Sequence, residues 1–249
     1  MRAAVIGFRR SSRGILVVVR QPTRPTHLSE HAEGTLQALA SAELGHVISL
    51  GGALGLLHYL DYRSTHDVDA WWAPSASPED RERVVSVVEK TLRASGEVRI
   101  RRWGEVVSIE LGVAGKTIFS FQIAERSAQL EPTASLPWTD VDIDSLPDLV
   151  ASKMAALVER GAPRDFRDID ALCHSGLMNP AECWSLWALR QQRAGSDIDR
   201  HRARLAVSTH LARIEQHRPL KAIADPAQKA EAERVRAWFT KEFLDAVLD

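Results

Sequence analysis

Two aspartates, Asp67 and Asp69, stand one residue apart in the segment "RSTHDVD" at 63–69. The same D-x-D spacing recurs at 140/142, 142/144, 168/170 and 197/199. On a strand, residues i and i+2 share a face with Cα atoms about 6.5–7 Å apart, which suits the paired divalent ions of phosphoryl transfer. On a helix the two side chains diverge. Only a strand-borne pair therefore predicts this chemistry.

The local sequence predicts a strand for one of these pairs only, the one in "HDVDAWW" at 66–72. The pairs at 168/170 and 197/199 lie in predicted helices. The acids at 140–144 lie in a linker before a helix start, where acids offset the helix dipole. Asp67 and Asp69 are therefore the candidate metal ligands.

A glycine pair, Gly51 and Gly52, lies between the predicted strand "HVISL" and the predicted helix "ALGLLHYL". Glycine allows a tight turn and lets phosphate approach the backbone N–H groups at a helix start. Followed by "RST" and the strand-borne aspartates, this arrangement predicts a nucleotide site. The two glycines would lie against phosphate, and Asp67 and Asp69 would hold the metal.

The elements that position these residues alternate between helix and strand from about residue 27 to 135. Ser29 and Ser77 are predicted N-caps of the helices "LSEHAEGTLQALASAELG" and "SPEDRERVVSVVEKTLRASG". Three strand-like runs follow, "EVRIRRW", "EVVSIELG" and "KTIFSFQIA". This order predicts a small mixed sheet with helices packed on one side.

The rest of the chain, from about residue 143, predicts helices only, including "SLPDLVASKMAALVERG" and "PRDFRDIDALCHSG". The predicted fold class is α+β. It has a basic N-terminal segment at 1–26 whose β-branched runs suit a hairpin, a catalytic domain with the mixed sheet at 27–140, and a helical bundle domain at 141–249.

Charge is unevenly distributed, although the net charge is −1. Residues 1–29 contain six arginines and no acid, and residues 186–221 contain eight basic residues against three acidic ones. Such patches suit a polyanionic partner or are solvated helix faces.

Cys173 and Cys183 lack a metal-type spacing, which predicts reduced thiols in a cytoplasmic protein. No apolar run reaches the roughly 18 residues of a membrane span, so no membrane association is expected.

The segment "GGALGLLHYLDYRSTHDVD" resembles the first motif of the nucleotidyltransferase superfamily with the polymerase-β-like fold, in particular the AbiEii/MenT type of toxin. In that family a Gly-Gly or Gly-Ser pair precedes R-S/T-x-D-x-D. A second segment, "SKMAALVERGAPRDFRDIDAL", is similar to the later family pattern of a lysine, an apolar helix, Arg-Asp and a further aspartate. The resemblance spans about residues 30–175.

The resemblance implies roles for residues of both segments. For nucleotide binding it implies Gly51, Gly52, Arg63, Ser64 and Lys153. For catalysis it implies Asp67, Asp69, Lys153, Asp165 and Asp168, with Asp67 and Asp69 as magnesium ligands. Other interpretations stay open. Lys153 also suits a surface lysine lying along an apolar helix, and Asp165 and Asp168 also suit the opening turns of a helix.

One departure from the family pattern concerns a third carboxylate on a later strand. The strand "TIFSFQIA" has Gln122 where an acid is expected, and Glu110 in "VVSIEL" is the nearest alternative metal ligand. The third acid is therefore Glu110, an aspartate of the second segment, or absent. In the last case catalysis would be weak or lacking.

The resemblance implies a magnesium-dependent nucleotidyltransferase, the toxin of a toxin–antitoxin pair, that transfers NMP from an NTP to an acceptor hydroxyl such as the 3′ end of tRNA. NTP, RNA and a cognate antitoxin protein are the implied partners. Two alternatives stay open: transfer to a Ser, Thr or Tyr hydroxyl of a protein, and a catalytically weak module that binds nucleotide or a partner. The first motif does not separate RNA from protein acceptors, because the donor site would be the same for both.

Overall fold

The computed structural model describes residues 6–10 and 16–247. The chain divides into two compact units. Unit 1 consists of Met1–Arg126 and Pro132–Leu146, and unit 2 consists of Ser127–Glu131 and Pro147–Asp249. Among the described residues, the strands belong to unit 1, and the regular elements of unit 2 are helices.

Unit 1 combines strands with three α-helices. Its strands are β1 (Ile6–Arg10), β2 (Leu16–Arg20), β3 (Ile48–Leu50), β4 (Asp67–Trp72), β5 (Glu97–Trp103), β6 (Val106–Val113), β7 (Lys116–Ala124), β8 (Ala134–Ser135) and β9 (Asp142–Ile143). Its helices are α1 (Glu30–Ser41), α2 (Gly52–Leu57) and α3 (Pro78–Arg93). β1 and β2 form an antiparallel pair. The other seven strands form one mixed sheet in the order β5-β6-β7-β4-β3-β9-β8, in which β4 is parallel to β7 and β3 is parallel to β9.

The seven-stranded sheet has one apolar and one polar face because successive side chains of a strand point to opposite sides. The apolar face is formed by residues such as Val68, Ile109 and Phe121, each 0% exposed. Helices α1 and α3 pack on it through Leu36, Leu39, Val84, Val88 and Leu92. The opposite surface, which we call the polar face, carries the other half of each strand: Asp67 and Asp69 of β4, Ser120 and Gln122 of β7, Ser108 and Glu110 of β6, and Arg99 and Arg101 of β5.

The helix starts of unit 1 follow from local capping chemistry. The Ser29 hydroxyl accepts the Ala32 N–H, and the Ser77 hydroxyl accepts the Asp80 N–H, as the sequence predicts. Pro78 occupies the first position of α3, where its missing N–H costs no hydrogen bond. Together with the alternating strands, these caps give the predicted mixed α/β arrangement of a central sheet with flanking helices.

Unit 2 contains five α-helices in its described residues: α4 (Leu146–Glu159, which begins at the last residue of unit 1), α5 (Pro163–His174), α6 (Pro180–Arg193), α7 (Arg200–His217) and α8 (Pro226–Trp238). Trp184 and Trp187 of α6 are 0% and 2% exposed, so they pack in the core of unit 2. The Trp184 indole N–H donates to the Phe243 carbonyl at 3.1 Å. Cys173 and Cys183 are free thiols with sulfur atoms 3.8 Å apart. Among the described residues, none of the helices has the length and apolarity that crossing a membrane requires.

Several local predictions differ from the structure. Helix α2 ends at Leu57, three residues before the end of the predicted segment "ALGLLHYL". Residues 142–143, predicted as linker, form β9 because they pair with Ser49 and Leu50 of β3. The pair Asp197/Asp199, predicted to lie in a helix, precedes α7, for which Asp199 is the N-cap.

One histidine of unit 1, His58, is fully buried at the end of α2. Its Nδ1 lies 2.9 Å from the Leu54 carbonyl, and its ring stacks on Trp138 with centroids 6.0 Å apart. Its Nε2 has no hydrogen-bond partner among the described residues. Burial lowers the pKa of His58 from 6.5 to about 4, against the opposing effect of the Leu54 hydrogen bond.

The buried His58 makes the free energy of unfolding depend on pH. Between pH 6.5 and about 4 the unfolded chain takes up a proton that the folded chain does not. Stability is therefore full above pH 6.5 and falls by about 3 kcal/mol as the pH drops through this window. Urea unfolding across this range should show a smaller pH dependence for His58→Gln than for the native chain. The exposed His46→Gln is the matched control, and equal slopes for all three proteins would contradict the prediction.

Candidate functional site

The turn between β3 and α2 is made by Gly51 and Gly52. The Gly51 N–H donates to the Asp69 carbonyl at 2.8 Å, which ties the turn to β4. Gly52 has φ +55, a left-handed conformation that residues with a Cβ atom rarely adopt. Gly51 is the N-cap of α2 and offers no side-chain acceptor to the N–H groups of the first turn. The backbone at this turn is thus the group available to an incoming phosphate, although α2 is only 6 residues long.

Both glycines lie too close to β4 to carry a side chain. A Cβ on Gly52 would overlap Asp69 Oδ2 and lie 2.6 Å from Asp69 Cβ and 2.7 Å from Asp69 Cγ. A Cβ on Gly51 would overlap the Trp71 indole nitrogen. The predicted glycine pair and the predicted carboxylate are therefore brought into direct contact, and the contact requires both glycines.

The two carboxylates lie on β4, as the sequence predicts, and both point to the polar face. Asp67 is exposed and Asp69 is half-buried. In the parallel β4–β7 pairing, Ser120 lies beside Asp67 and Gln122 lies beside Asp69. The Ser120 hydroxyl donates to Asp67 Oδ1 at 2.9 Å, which orients that carboxylate. Ser120 was not singled out from the sequence, although the alternation of "TIFSFQIA" places it on the same face as Gln122.

The donor set at this point of the sheet suits a hard divalent cation. Mg²⁺ binds oxygen ligands and in nucleotide sites uses one or two carboxylates together with substrate phosphates and water. Asp67 and Asp69 supply two such carboxylates on one face. Within residues 6–10 and 16–247, no group of three or more His, Cys, Asp or Glu side chains is placed to hold a metal ion. The arrangement therefore fits an ion shared with a phosphate ligand, rather than one enclosed by protein.

The predicted third acid, Glu110, lies on the same polar face but two strands away from β4. Glu110 pairs in register with Ser120, which in turn pairs with Asp67. Two strand spacings put the Cα atoms of Glu110 and Asp67 about 10 Å apart. The Glu110 carboxylate lies 3.4 Å from the Arg101 guanidinium. Its assignment as a metal ligand stays a prediction.

The loop before β4 carries the other two residues predicted to bind nucleotide. The Arg63 Nη1 donates to the Ser64 carbonyl at 3.1 Å, and the Arg63 guanidinium lies over the Tyr62 ring at 5.7 Å. Ser64 is exposed. The Asp67 N–H donates to the Thr65 hydroxyl at 3.3 Å, so the loop is joined to the start of the strand that bears the carboxylates.

A buried polar network supports β3, the neighbour of β4 on the side away from β7. Asp144 accepts hydrogen bonds from Ser49 at 2.9 Å and from Arg126 at 2.7 Å. The Arg126 and Asp144 side chains are 11% and 4% exposed. Tyr59 donates to the Asp144 carbonyl at 3.2 Å. The sequence offered no signal for this network, because its members are far apart along the chain.

In unit 2, Lys153 of α4 and Asp168 of α5 form a buried ion pair. Their Nζ and Oδ2 atoms lie 2.7 Å apart, and the side chains are 8% and 0% exposed. Lys153 is therefore not a surface lysine, because its ammonium group is held inside the unit. Burying two charges is costly, and removing either partner alone leaves the other uncompensated.

The other predicted acid of unit 2, Asp165, has a clear structural role. Its side chain is 0% exposed and accepts hydrogen bonds from Arg160 at 2.9 and 3.0 Å. It also accepts the Ala162 N–H at 3.1 Å, at the start of α5. This agrees with the interpretation that Asp165 belongs to a helix start. A catalytic role for Asp165 stays a prediction.

The basic segment at 186–221 uses several of its arginines within unit 2. Arg190 is 8% exposed and donates to the Ala128 carbonyl at 3.1 Å. Other internal acceptors are the Gln129 and Leu130 carbonyls for Arg193, Asp197 for Arg202, and the Leu244 carbonyl for Arg204. These arginines hold loops and helix ends together. Fewer basic side chains are therefore available to bind a polyanion than the count of eight basic residues suggests.

Comparison with known proteins shows what this chain is similar to. The family model described as "Nucleotidyl transferase AbiEii toxin, Type IV TA system" matches residues 35–245. No curated protein matches. A nucleotidyltransferase-like antigenic protein from Paracoccidioides brasiliensis is similar at 14% identity and a TM-score of 0.42, over 85% of this chain and 95% of that one.

A STING-associated CdnE c-di-GMP synthase from Capnocytophaga granulosa is similar at 8% identity and a TM-score of 0.24, over 86% of this chain and 82% of that one. Both TM-scores are too low to establish a shared fold. The family match covers most of the chain and both predicted motif segments.

Proposed function

The chain belongs to the AbiEii nucleotidyl transferase toxin family and is a nucleotidyl transfer enzyme, and we propose that it transfers NMP from an NTP to an acceptor hydroxyl in a magnesium-dependent reaction. The observation that carries this proposal is the contact between Gly52 and Asp69. The glycine turn suits a phosphate, and the Asp69 carboxylate suits a metal ion. The two meet at one point of the polar face.

The proposed reaction forms one bond and breaks another at the α-phosphorus of the NTP. The acceptor oxygen bonds to the α-phosphorus, the bond from that phosphorus to the bridging oxygen breaks, pyrophosphate leaves, and the proton of the acceptor hydroxyl passes to solvent water. Gly51 and Gly52 let the phosphates approach the backbone because no Cβ intervenes. Asp67 and Asp69 would hold Mg²⁺, and Ser120 keeps Asp67 oriented. Bound Mg²⁺ would neutralise negative charge on the phosphates.

The acceptor that we favour is RNA, in particular the 3′ end of tRNA, and a cognate antitoxin is the proposed protein partner. A test incubates the protein and a cell lysate with each of four NTPs labelled at the α-phosphate. Label in the RNA fraction supports an RNA acceptor. Label in the protein fraction supports the alternative, which is transfer to a Ser, Thr or Tyr hydroxyl.

The contribution of Lys153 to the reaction is a separate proposal, which follows from the family role of this lysine in contacting the triphosphate. Lys153→Met alone leaves Asp168 buried without its partner, which costs about 3–5 kcal/mol of stability. The double variant Lys153→Met/Asp168→Leu removes both charges and should recover most of that stability. Its transfer activity should remain at least roughly a hundredfold below native, since the missing cation is worth a few kcal/mol to the reaction.

Thermal unfolding and initial transfer rates of the single and double variants check this prediction. A stable double variant with native activity would show that the pair serves only the fold of unit 2. Arg167→Ala, which removes the exposed ion pair of α5 with Glu231, controls for a general effect of losing an ion pair in this region.

A further inference from the structure

The strand β5 at the edge of the sheet presents a row of three exposed side chains, which we call the β5 row: Arg99, Arg101 and Trp103. All three point to the polar face, because Arg99 pairs with Glu110 and Arg101 pairs with Ser108. Arg102, between two of them, points to the other face and reaches Glu82 of α3 at 2.8 Å. The strand register and this ion pair therefore fix the face of the sheet to which the side chains of the β5 row point.

The β5 row is aligned with the carboxylates of β4. Across the sheet, Arg99, Glu110, Ser120 and Asp67 form one row of register partners. The next row consists of Arg101, Ser108, Gln122 and Asp69. Three strand spacings separate β5 from β4, a distance of about 14 Å. The two strands between them contribute polar side chains at these positions, so the row and the carboxylates lie on the same face of the sheet.

The residue types of the β5 row suit a phosphate backbone with exposed bases. Trp103 is 51% exposed, and an exposed indole offers a face on which a base stacks. Arg99 has no ion-pair partner among the residues that the structure describes, and the Arg101 side chain is 53% exposed with Glu110 at 3.4 Å. Guanidinium groups bind phosphate oxygens in a bidentate manner. A row of two such cations and one aromatic ring is complementary to a single strand, whereas a duplex hides the faces of its bases.

We propose that the β5 row binds the single-stranded polynucleotide that carries the acceptor hydroxyl and leads its end across the polar face towards Asp67 and Asp69. Arg99 and Arg101 bind two phosphates, and Trp103 stacks on a base. This inference rests on the proposed function and adds where the acceptor strand lies. It places the strand on unit 1, rather than on the arginines of 186–221, several of which already hold carbonyl groups of unit 2.

The experiment measures binding of a short fluorescein-labelled single-stranded RNA to the full chain by anisotropy over a series of salt concentrations. Arg99→Ala/Arg101→Ala should weaken binding at least roughly tenfold and lower the slope of log K against log salt by about 1.4, since each single-strand phosphate contact contributes about 0.7. Trp103→Ala should weaken binding by roughly tenfold with an unchanged slope. Arg83→Ala/Arg93→Ala is the control of equal charge, on the helix side of the sheet with side chains 59% and 61% exposed.

Native RNA affinity and slope in Arg99→Ala/Arg101→Ala, or equal losses in the Arg83/Arg93 control, would overturn the inference. Tighter binding of a duplex RNA than of the single strand would overturn the stacking role of Trp103. Binding of a fluorescent NTP without RNA separates this inference from the proposed function. If NTP binding and transfer to protein persist while the native chain binds no RNA, the β5 row is refuted and nucleotidyl transfer is retained.

Discussion

Asp69→Asn is expected to lower the rate of nucleotidyl transfer by roughly a thousandfold, because losing a metal-ligand carboxylate removes several kcal/mol of charge stabilisation. Asparagine keeps the shape of the side chain, so the contact with Gly52 and the pairing of β4 should survive. Melting temperature should change little, since Asp69 is only half-buried. The measurement is the initial rate of label transfer at saturating NTP, alongside thermal unfolding.

Asp140→Asn is the matched control for this variant. Asp140 belongs to another D-x-D pair, is exposed, and has φ +53, a conformation that asparagine tolerates. Its hydrogen bond from Ser135 uses Oδ1, an acceptor that asparagine retains. Transfer by Asp140→Asn should equal that of the native chain. If Asp69→Asn retained activity within a few-fold of native, the metal-binding assignment of β4 would be wrong.

Gly52→Ala is expected to lower transfer by roughly a hundredfold, because displacement of a reacting group by about 1 Å has an effect of this size. The added Cβ overlaps Asp69 Oδ2, so the carboxylate must move or the turn must open. The variant also loses about 1–2 kcal/mol of stability, since alanine is strained at φ +55.

Gly104→Ala separates the effect of backbone strain at positive φ from the effect of the contact between the added Cβ and Asp69. Gly104 has φ +54, nearly the value of Gly52, but a Cβ there meets nothing within 4 Å. Gly104→Ala should lower the free energy of unfolding by about as much as Gly52→Ala does, and it should keep the native rate of nucleotidyl transfer. Steady-state rates and urea unfolding of both variants measure the two effects, and equal activities for them would contradict the proposed closeness of the turn and the carboxylate.

Much of unit 1 follows from local sequence. The alternation in β4 and β7 gives each strand a polar and an apolar side, and Ser29 and Ser77 mark the starts of α1 and α3. Such signals act within a few residues, so they are visible in the sequence. The same reasoning placed Asp67 and Asp69 on one face of a strand and Gly51 and Gly52 at a turn, which the structure also has.

The contacts between distant segments do not follow from local sequence. That Ser120 orients Asp67 depends on the parallel register of β4 and β7, and nothing in either strand fixes that register alone. The bond between Arg126 and Asp144 likewise needs β9 to join the sheet beside β3. Lys153 lies on an apolar helix, and its burial depends on the position of Asp168 on the following helix.

Nucleotidyl transfer from a site built on Asp67, Asp69 and the glycine turn would carry the α-phosphate of the NTP to the acceptor. The most direct measurement compares transfer from an NTP labelled at the α-phosphate with transfer from the same NTP labelled at the γ-phosphate, using native chain and Asp67→Asn. We expect the acceptor to gain α-label only, γ-label to appear in pyrophosphate, and Asp67→Asn to transfer neither. Gain of γ-label by the acceptor, or unchanged α-label transfer by Asp67→Asn, would contradict this expectation.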